Sequence, residues 1–150
     1  SREQRELAEA ATLWTGGMIE KVINRAFEDA RTFDDGAAAL CRGIAGLIGP
    51  NEQIQACPVA SILQASVQEP DLRNAARRVL ANWTTNLARH AKRLYHPAPN
   101  EIADLVLMQL EGAWLLAVAE QSTRPFERIA AAYWSARRHE PKQRQSRSRR

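Results

Sequence analysis

Apolar residues recur along this chain every three or four positions, in six runs separated by proline, glycine or acidic residues, the spacing of amphipathic helices. From Arg2 to about Ala30, Leu7, Ala11, Trp14, Met18, Val22, Ala26 and Ala30 share one helical face, and Ile23 and Phe27 widen it. Gly16-Gly17 weakens that helix and predicts a bend or a close approach by another element. Asp34 and Asp35 offer an N-cap to a second helix with Ala37, Leu40, Cys41, Ile44, Leu47 and Ile48 inward, stopped by Gly49-Pro50. After a loop, Asn51 to Ala56, Pro58 suits the first turn of a short helix carrying Val59, Ile62, Leu63, Ser66 and Val67. Pro70 is expected to end it and Asp71 to cap the next.

A fourth helix, about Leu72 to Leu94, places Leu72, Ala76, Val79, Leu80, Trp83, Leu87, Ala91 and Leu94 on one side. Its Arg73, Arg77, Arg78, Arg89, Lys92 and Arg93 fall largely elsewhere, as a solvated face does. His96-Pro97-Ala98-Pro99 forms a turn, and Asn100 is expected to cap a fifth helix to Glu120. There Glu101, Asp104 and Glu111 cluster on a narrow arc, and nearly everything else is apolar. A helix apolar almost all round needs cover on two sides, and a partner chain is the economical source of the second. The sixth helix starts near Thr123 and aligns Phe126, Ile129, Ala130, Tyr133 and Trp134. Beyond Arg137 the periodicity stops; residues 137–150 are expected to be a disordered basic tail, with 1–136 a single domain.

That tail changes the meaning of the charge. It holds seven Arg or Lys against one acid, Glu140, so with the whole chain at +4 the body before it carries −2. The basicity therefore does not describe the fold. Abundant Ala, Leu, Arg and Glu favour helix, no strand pattern stands out, and the expected class is all-α, a six-helix orthogonal bundle. The apolar stretch Gly112 to Ala119 is too short to span a bilayer, the start Ser1-Arg2-Glu3-Gln4-Arg5-Glu6 does not read as a signal peptide, and a cytoplasmic location without membrane contact is expected. Cys41 and Cys57 read as buried thiols. His90, His96 and His139 pair with no acid or thiol at metal-ligand spacing, and neither a phosphate loop nor a nucleophile elbow occurs. No metal, cofactor or enzymatic activity is expected.

Three stretches, in order, resemble the C-terminal domain of TetR-family regulators, in the branch similar to LmrA and YxaF. Ser1-Arg2-Glu3-Gln4-Arg5-Glu6-Leu7 resembles the start of the family's long connecting helix, just after the DNA-binding helix-turn-helix. Ala56-Cys57-Pro58-Val59, with Glu69-Pro70-Asp71-Leu72-Arg73 and Trp83, resembles the short sixth and long seventh family helices. Leu110-Glu111-Gly112-Ala113 with Leu115-Leu116 resembles the eighth, which with the ninth forms the dimer in such proteins. The likeness covers about residues 1 to 136. Ala56 stands where family members often carry Gly, and the helix-turn-helix is absent from the chain.

The resemblance implies a homodimer in which a small, usually lipophilic effector binds among the helices and shifts two DNA-reading heads, relieving repression. DNA would be reached only through the missing helix-turn-helix. Among the inward stripes, the bulkiest or most adaptable residues are the expected pocket lining: Trp14, Met18, Cys41, Ile44, Ile62, Trp83, Leu87, Leu110 and Trp114. No charged residue falls on these stripes, so a neutral or weakly polar ligand is expected. The expected dimer surface combines Gly112, Ala113 and Leu116 with Ile129, Ala130, Tyr133 and Trp134. Two other readings are open to the same pattern: a ligand-free helical interaction module, and a bundle tethered to nucleic acid by its Arg-rich tail.

Overall fold

The computed structural model describes residues 1–138, which form six α-helices and no strand. They are α1 (Arg2–Glu28), α2 (Phe33–Ile48), α3 (Pro58–Ala65), α4 (Pro70–Arg93), α5 (Pro99–Glu120) and α6 (Arg124–Arg138). Helix α6 continues two residues past the boundary expected at residue 136, and the rest of the expected tail, 139–150, lies outside the described residues.

Local chemistry sets most helix starts. Ser1 and Gln4 form a capping box on α1, and the Thr32 hydroxyl accepts from the Asp35 amide at the start of α2. Thr32, not Asp34 or Asp35, is thus the cap; the two acids occupy the first turn, where they face the helix dipole favourably. Pro58, Pro70 and Pro99 are each the first residue of their helix, where a missing N–H costs nothing. Pro70 therefore begins α4 rather than ending α3, and α5 starts one residue before Asn100.

Helix α4 is the hub, packed on α1, α3 and α5, while α6 lies chiefly on α2 and also on α5. The α1–α4 crossing is close. A Cβ at Gly16 would stand 2.7 Å from Val79 Cγ1, and the buried Trp83 donates its indole N–H to the Gly16 carbonyl at 2.9 Å. Gly16 is thus a contact point, and α1 runs unbroken through it.

This crossing orients α1 differently from the expected stripe. Thr12, Gly16, Ile19, Ile23 and Phe27 are buried, whereas Leu7 and Trp14 are about 70% exposed. Lower down, Gly36 makes room for the Phe27 ring, which stacks on His90 at 4.9 Å. Asn24 Oδ1 there accepts from Asn86 Nδ2 and lies 2.9 Å from His90 Nε2, while Arg93 donates to the Phe27 carbonyl at 2.9 Å. Aromatic stacking and side-chain hydrogen bonds thus fasten the lower half of α1 to α4.

Candidate effector pocket and exposed helix face

Between α2 and α3 the chain crosses residues 49–57 without regular structure, and this loop becomes one wall of a cavity. Two side chains from α5 and its end hold it. Trp114 donates its indole N–H to the Gln55 carbonyl at 2.8 Å. Gln121, at the left-handed C-cap of α5 (φ 50°), pairs its side-chain amide with the backbone of Ile54. Phe126 packs edge-on against Trp114, with ring centroids 6.0 Å apart, supporting that indole from α6.

The space so enclosed is an open groove of about 980 Å³. Trp14, Met18 and Ile19 of α1, Leu47 and Ile48 of α2, loop residues from Asn51 to Ala56, and Trp114 contribute to it. Behind Ile19 and Trp114, which border both spaces, lies a narrow crevice with only about 10 Å³ free. Ile44, Trp83, Leu87 and Leu110 line that crevice together with Leu107 and Glu111. It has room for one water molecule.

The nine expected lining residues therefore separate. Trp14, Met18 and Trp114 meet at the groove; Ile44, Trp83, Leu87, Leu110 and again Trp114 meet in the crevice. Cys41 is buried on the side of α2 near Tyr133 of α6, and the half-buried Ile62 packs on the core from α3; both lie away from the two spaces. Trp83 behaves as a core residue, filled in and hydrogen-bonded, not as the wall of an open cavity.

Glu111 corrects the expectation that no charge lies inward. Two turns after Asp104 it keeps nearly the same direction round α5, yet it borders the crevice, and burial raises its carboxyl above the ordinary range, with the nearby Cys57 thiol offsetting part of that rise. Burial pushes the Cys57 and Cys41 thiols up to about 12, which leaves both protonated and poorly nucleophilic at neutral pH. Among the described residues no group of three His, Cys, Asp or Glu could hold a metal ion.

The second surface lies on the outer side of α5. Leu105, Met108, Leu115 and Leu116 are each more than half exposed and follow one another at helical spacing around Gly112, whose Cα faces open space. Of the seven expected dimer residues, Gly112, Leu116 and the partly exposed Trp134 face outward. Ala113 and Ala130 are buried within the chain itself, so they cannot meet a partner; small residues there allow close packing of neighbouring helices. Ile129 and Tyr133 are half-buried against the core, and the Tyr133 hydroxyl donates to Gln109 Oε1. Leu105, Met108 and Leu115, absent from the expected set, complete the exposed stripe.

By length and composition the 22-residue α5 could cross a membrane. One side of it, however, packs in the bundle through Ala103, Val106, Leu110, Ala113, Trp114 and Ala117.

Residues 34–132 match the family model described as "Transcriptional regulator LmrA/YxaF-like, C-terminal domain". The chain belongs to the TetR-type regulators, as their C-terminal domain. The matched span of this TetR-type domain runs from the first turn of α2 into α6, and so contains the pocket loop, Trp114 and the exposed face of α5. No curated protein matches the chain. Gln55 and Gln121, which shape the groove, carried no sequence signal. Their roles depend on side chains reaching a loop backbone 67 positions away for Gln121 and 59 positions away for the Trp114 indole that meets Gln55.

Proposed function

We propose that the chain senses a small hydrophobic effector in the groove along Trp14, Met18 and Trp114, and pairs with a second copy through the exposed face of α5. In the full regulator this would couple effector binding to release of DNA from a helix-turn-helix lying outside the chain, a cytoplasmic repressor relieved by its ligand. The groove carries the reading: about 980 Å³ falls within the range of small-molecule sites, roughly 300–1,000 Å³. Its walls come from α1, the end of α2, the α2–α3 loop, the first residue of α3 and α5. A bound molecule therefore touches the helix that resembles the connector to the DNA-reading part. Only a ligand that binds one position of α1 better than another can shift the regulator's state, and contact with α1 is where that difference arises.

Titration calorimetry with a panel of neutral aromatic probes tests the pocket. Met18→Ser, on the open wall, is expected to weaken binding about tenfold while leaving the unfolding midpoint nearly unchanged. Affinity indifferent to Met18 and Trp114 substitutions would place the effector elsewhere.

A further inference from the structure

We propose that His90 is an acid-sensitive latch between α1 and α4: a proton taken up at its Nδ1 expels the Arg93 guanidinium from the Phe27 carbonyl and loosens the end of α1 from α4. The latch acts on α1, the helix that also walls the groove, and holds whether or not the groove binds an effector.

Arginine fixes the polarity of the hydrogen-bond chain around His90 from both ends, because a guanidinium can only donate. Arg89 Nη2 donates to Asn86 Oδ1, so the amide nitrogen of the buried Asn86 points the other way and donates to Asn24 Oδ1 at 3.0 Å. Asn24 Oδ1 lies 2.9 Å from His90 Nε2, and that nitrogen therefore carries the ring proton. His90 Nδ1 keeps its lone pair and faces Arg93 Nη2 at 3.4 Å, and the same Nη2 donates to the Phe27 carbonyl at 2.9 Å. The chain has no place for a second proton. An imidazolium carries an N–H on both nitrogens, and the one at Nδ1 would face a guanidinium N–H, donor against donor.

The charges around the ring act in the same direction. Burial, Arg93 and Arg89 together hold the imidazole below its ordinary value of 6.5. From α1 the ring meets the Asn24 amide and the face of Phe27, stacked at 4.9 Å. That face by itself favours a cation, and burial with the two guanidiniums outweighs it. Glu20 of α1 borders a surface depression shared with Asn24, Asn86 and Arg89. On the α2 side Phe33 packs against Phe27, and His96 meets Phe33 edge-on, its own Nδ1 accepting from the Ala98 amide. Folded His90 thus holds its proton less tightly than the unfolded chain does. Its contribution to stability is complete above 6.5 and is lost as pH falls through the lower folded value.

An NMR titration of the wild-type chain from about pH 8 to 5, the span in which histidine titrates, tests the latch without any variant. His90 is expected to titrate below 6.5, with the Arg93 guanidinium and the Phe27 to Asp29 backbone signals moving at the same midpoint. His90→Gln can donate to Asn24 and accept from Arg93 without a titrating proton. It is expected to hold those signals still and to lose less of its urea midpoint in acid than the wild type; His96 titrates in both chains and cancels in the difference. Arg93→Gln sets an acceptor opposite Nδ1 and is expected to raise the His90 midpoint. A His90 midpoint at or above 6.5, Arg93 and Phe27 signals that stay still while His90 titrates, or an equal loss in acid by His90→Gln overturns the latch.

Discussion

The side chain of Gln121 closes both hydrogen bonds of Ile54: Oε1 accepts from the Ile54 amide at 2.9 Å and Nε2 donates to the Ile54 carbonyl at 3.0 Å. A buried loop residue is thereby satisfied as if it sat in a sheet, and the pocket wall is tied to the end of α5. Gln121→Ala is expected to cost about 1–3 kcal/mol in urea unfolding and to speed hydrogen exchange at Ile54. Gln121→Gly loses the same bonds but relieves the left-handed backbone, so it is expected to be less damaging than the alanine variant. Equal stability of both variants with wild type would show that the loop does not depend on this tie.

Adjacent glycines in α1 are expected to respond with opposite signs. Gly17→Ala meets nothing within 4 Å and gains helix propensity, stabilising by about 0.5–1 kcal/mol. Gly16→Ala gains the same propensity but drives its Cβ into Val79, with a net loss of about 1–3 kcal/mol. Thermal unfolding of the two variants checks the α1–α4 crossing directly.

Trp83 and Trp114 both donate an indole N–H to a backbone carbonyl, at Gly16 and Gln55 respectively. Trp83→Ala is expected to cost about 3–5 kcal/mol, the full penalty of emptying a core site. Trp114→Phe keeps most of the packing and is expected to cost about 1–3 kcal/mol while weakening probe binding. A Trp83 variant of near wild-type stability would mean that the core at the crossing is not closed.

The Glu111 carboxyl, raised by burial, gives stability a pH dependence. The folded state holds this proton more tightly than the unfolded chain, so its contribution is lost as pH rises from the ordinary value of 4.5 through the raised folded value. Glu111→Gln is therefore expected to raise the thermal midpoint more near neutral pH than in acid. A difference between variant and wild type that is constant with pH would contradict the burial.

On α5, Leu115→Glu is expected to halve the mass measured by light scattering at micromolar concentration while helix content by circular dichroism persists, because Leu115 is 69% exposed in the chain. Ala130→Glu, at a fully packed position, is expected to unfold the chain instead. A monodisperse monomer from the unmutated chain would remove the α5 dimer.

Six helices, their approximate limits and the all-α class were legible in the sequence because helix formation follows local terms: a period near 3.6, proline in first turns, capping side chains. The exposed breadth of α5 was legible too, since a helix apolar on nearly every side cannot bury them all in a small bundle. Which apolar face turns inward was not. On α1, Trp14 and Met18 outweigh Thr12 and Gly16 in apolar area, yet Thr12 and Gly16 are buried. The reason lies in the partner helix: α4 approaches α1 where Gly16 leaves space for Val79 and a carbonyl for Trp83, and that contact fixes the rotation of the whole helix. The same rule puts Ala113 and Ala130 inside and sends Leu105, Met108 and Leu115 out. Close packing between helices rewards small residues at the points of contact, and those points exist only once the helices have been brought together.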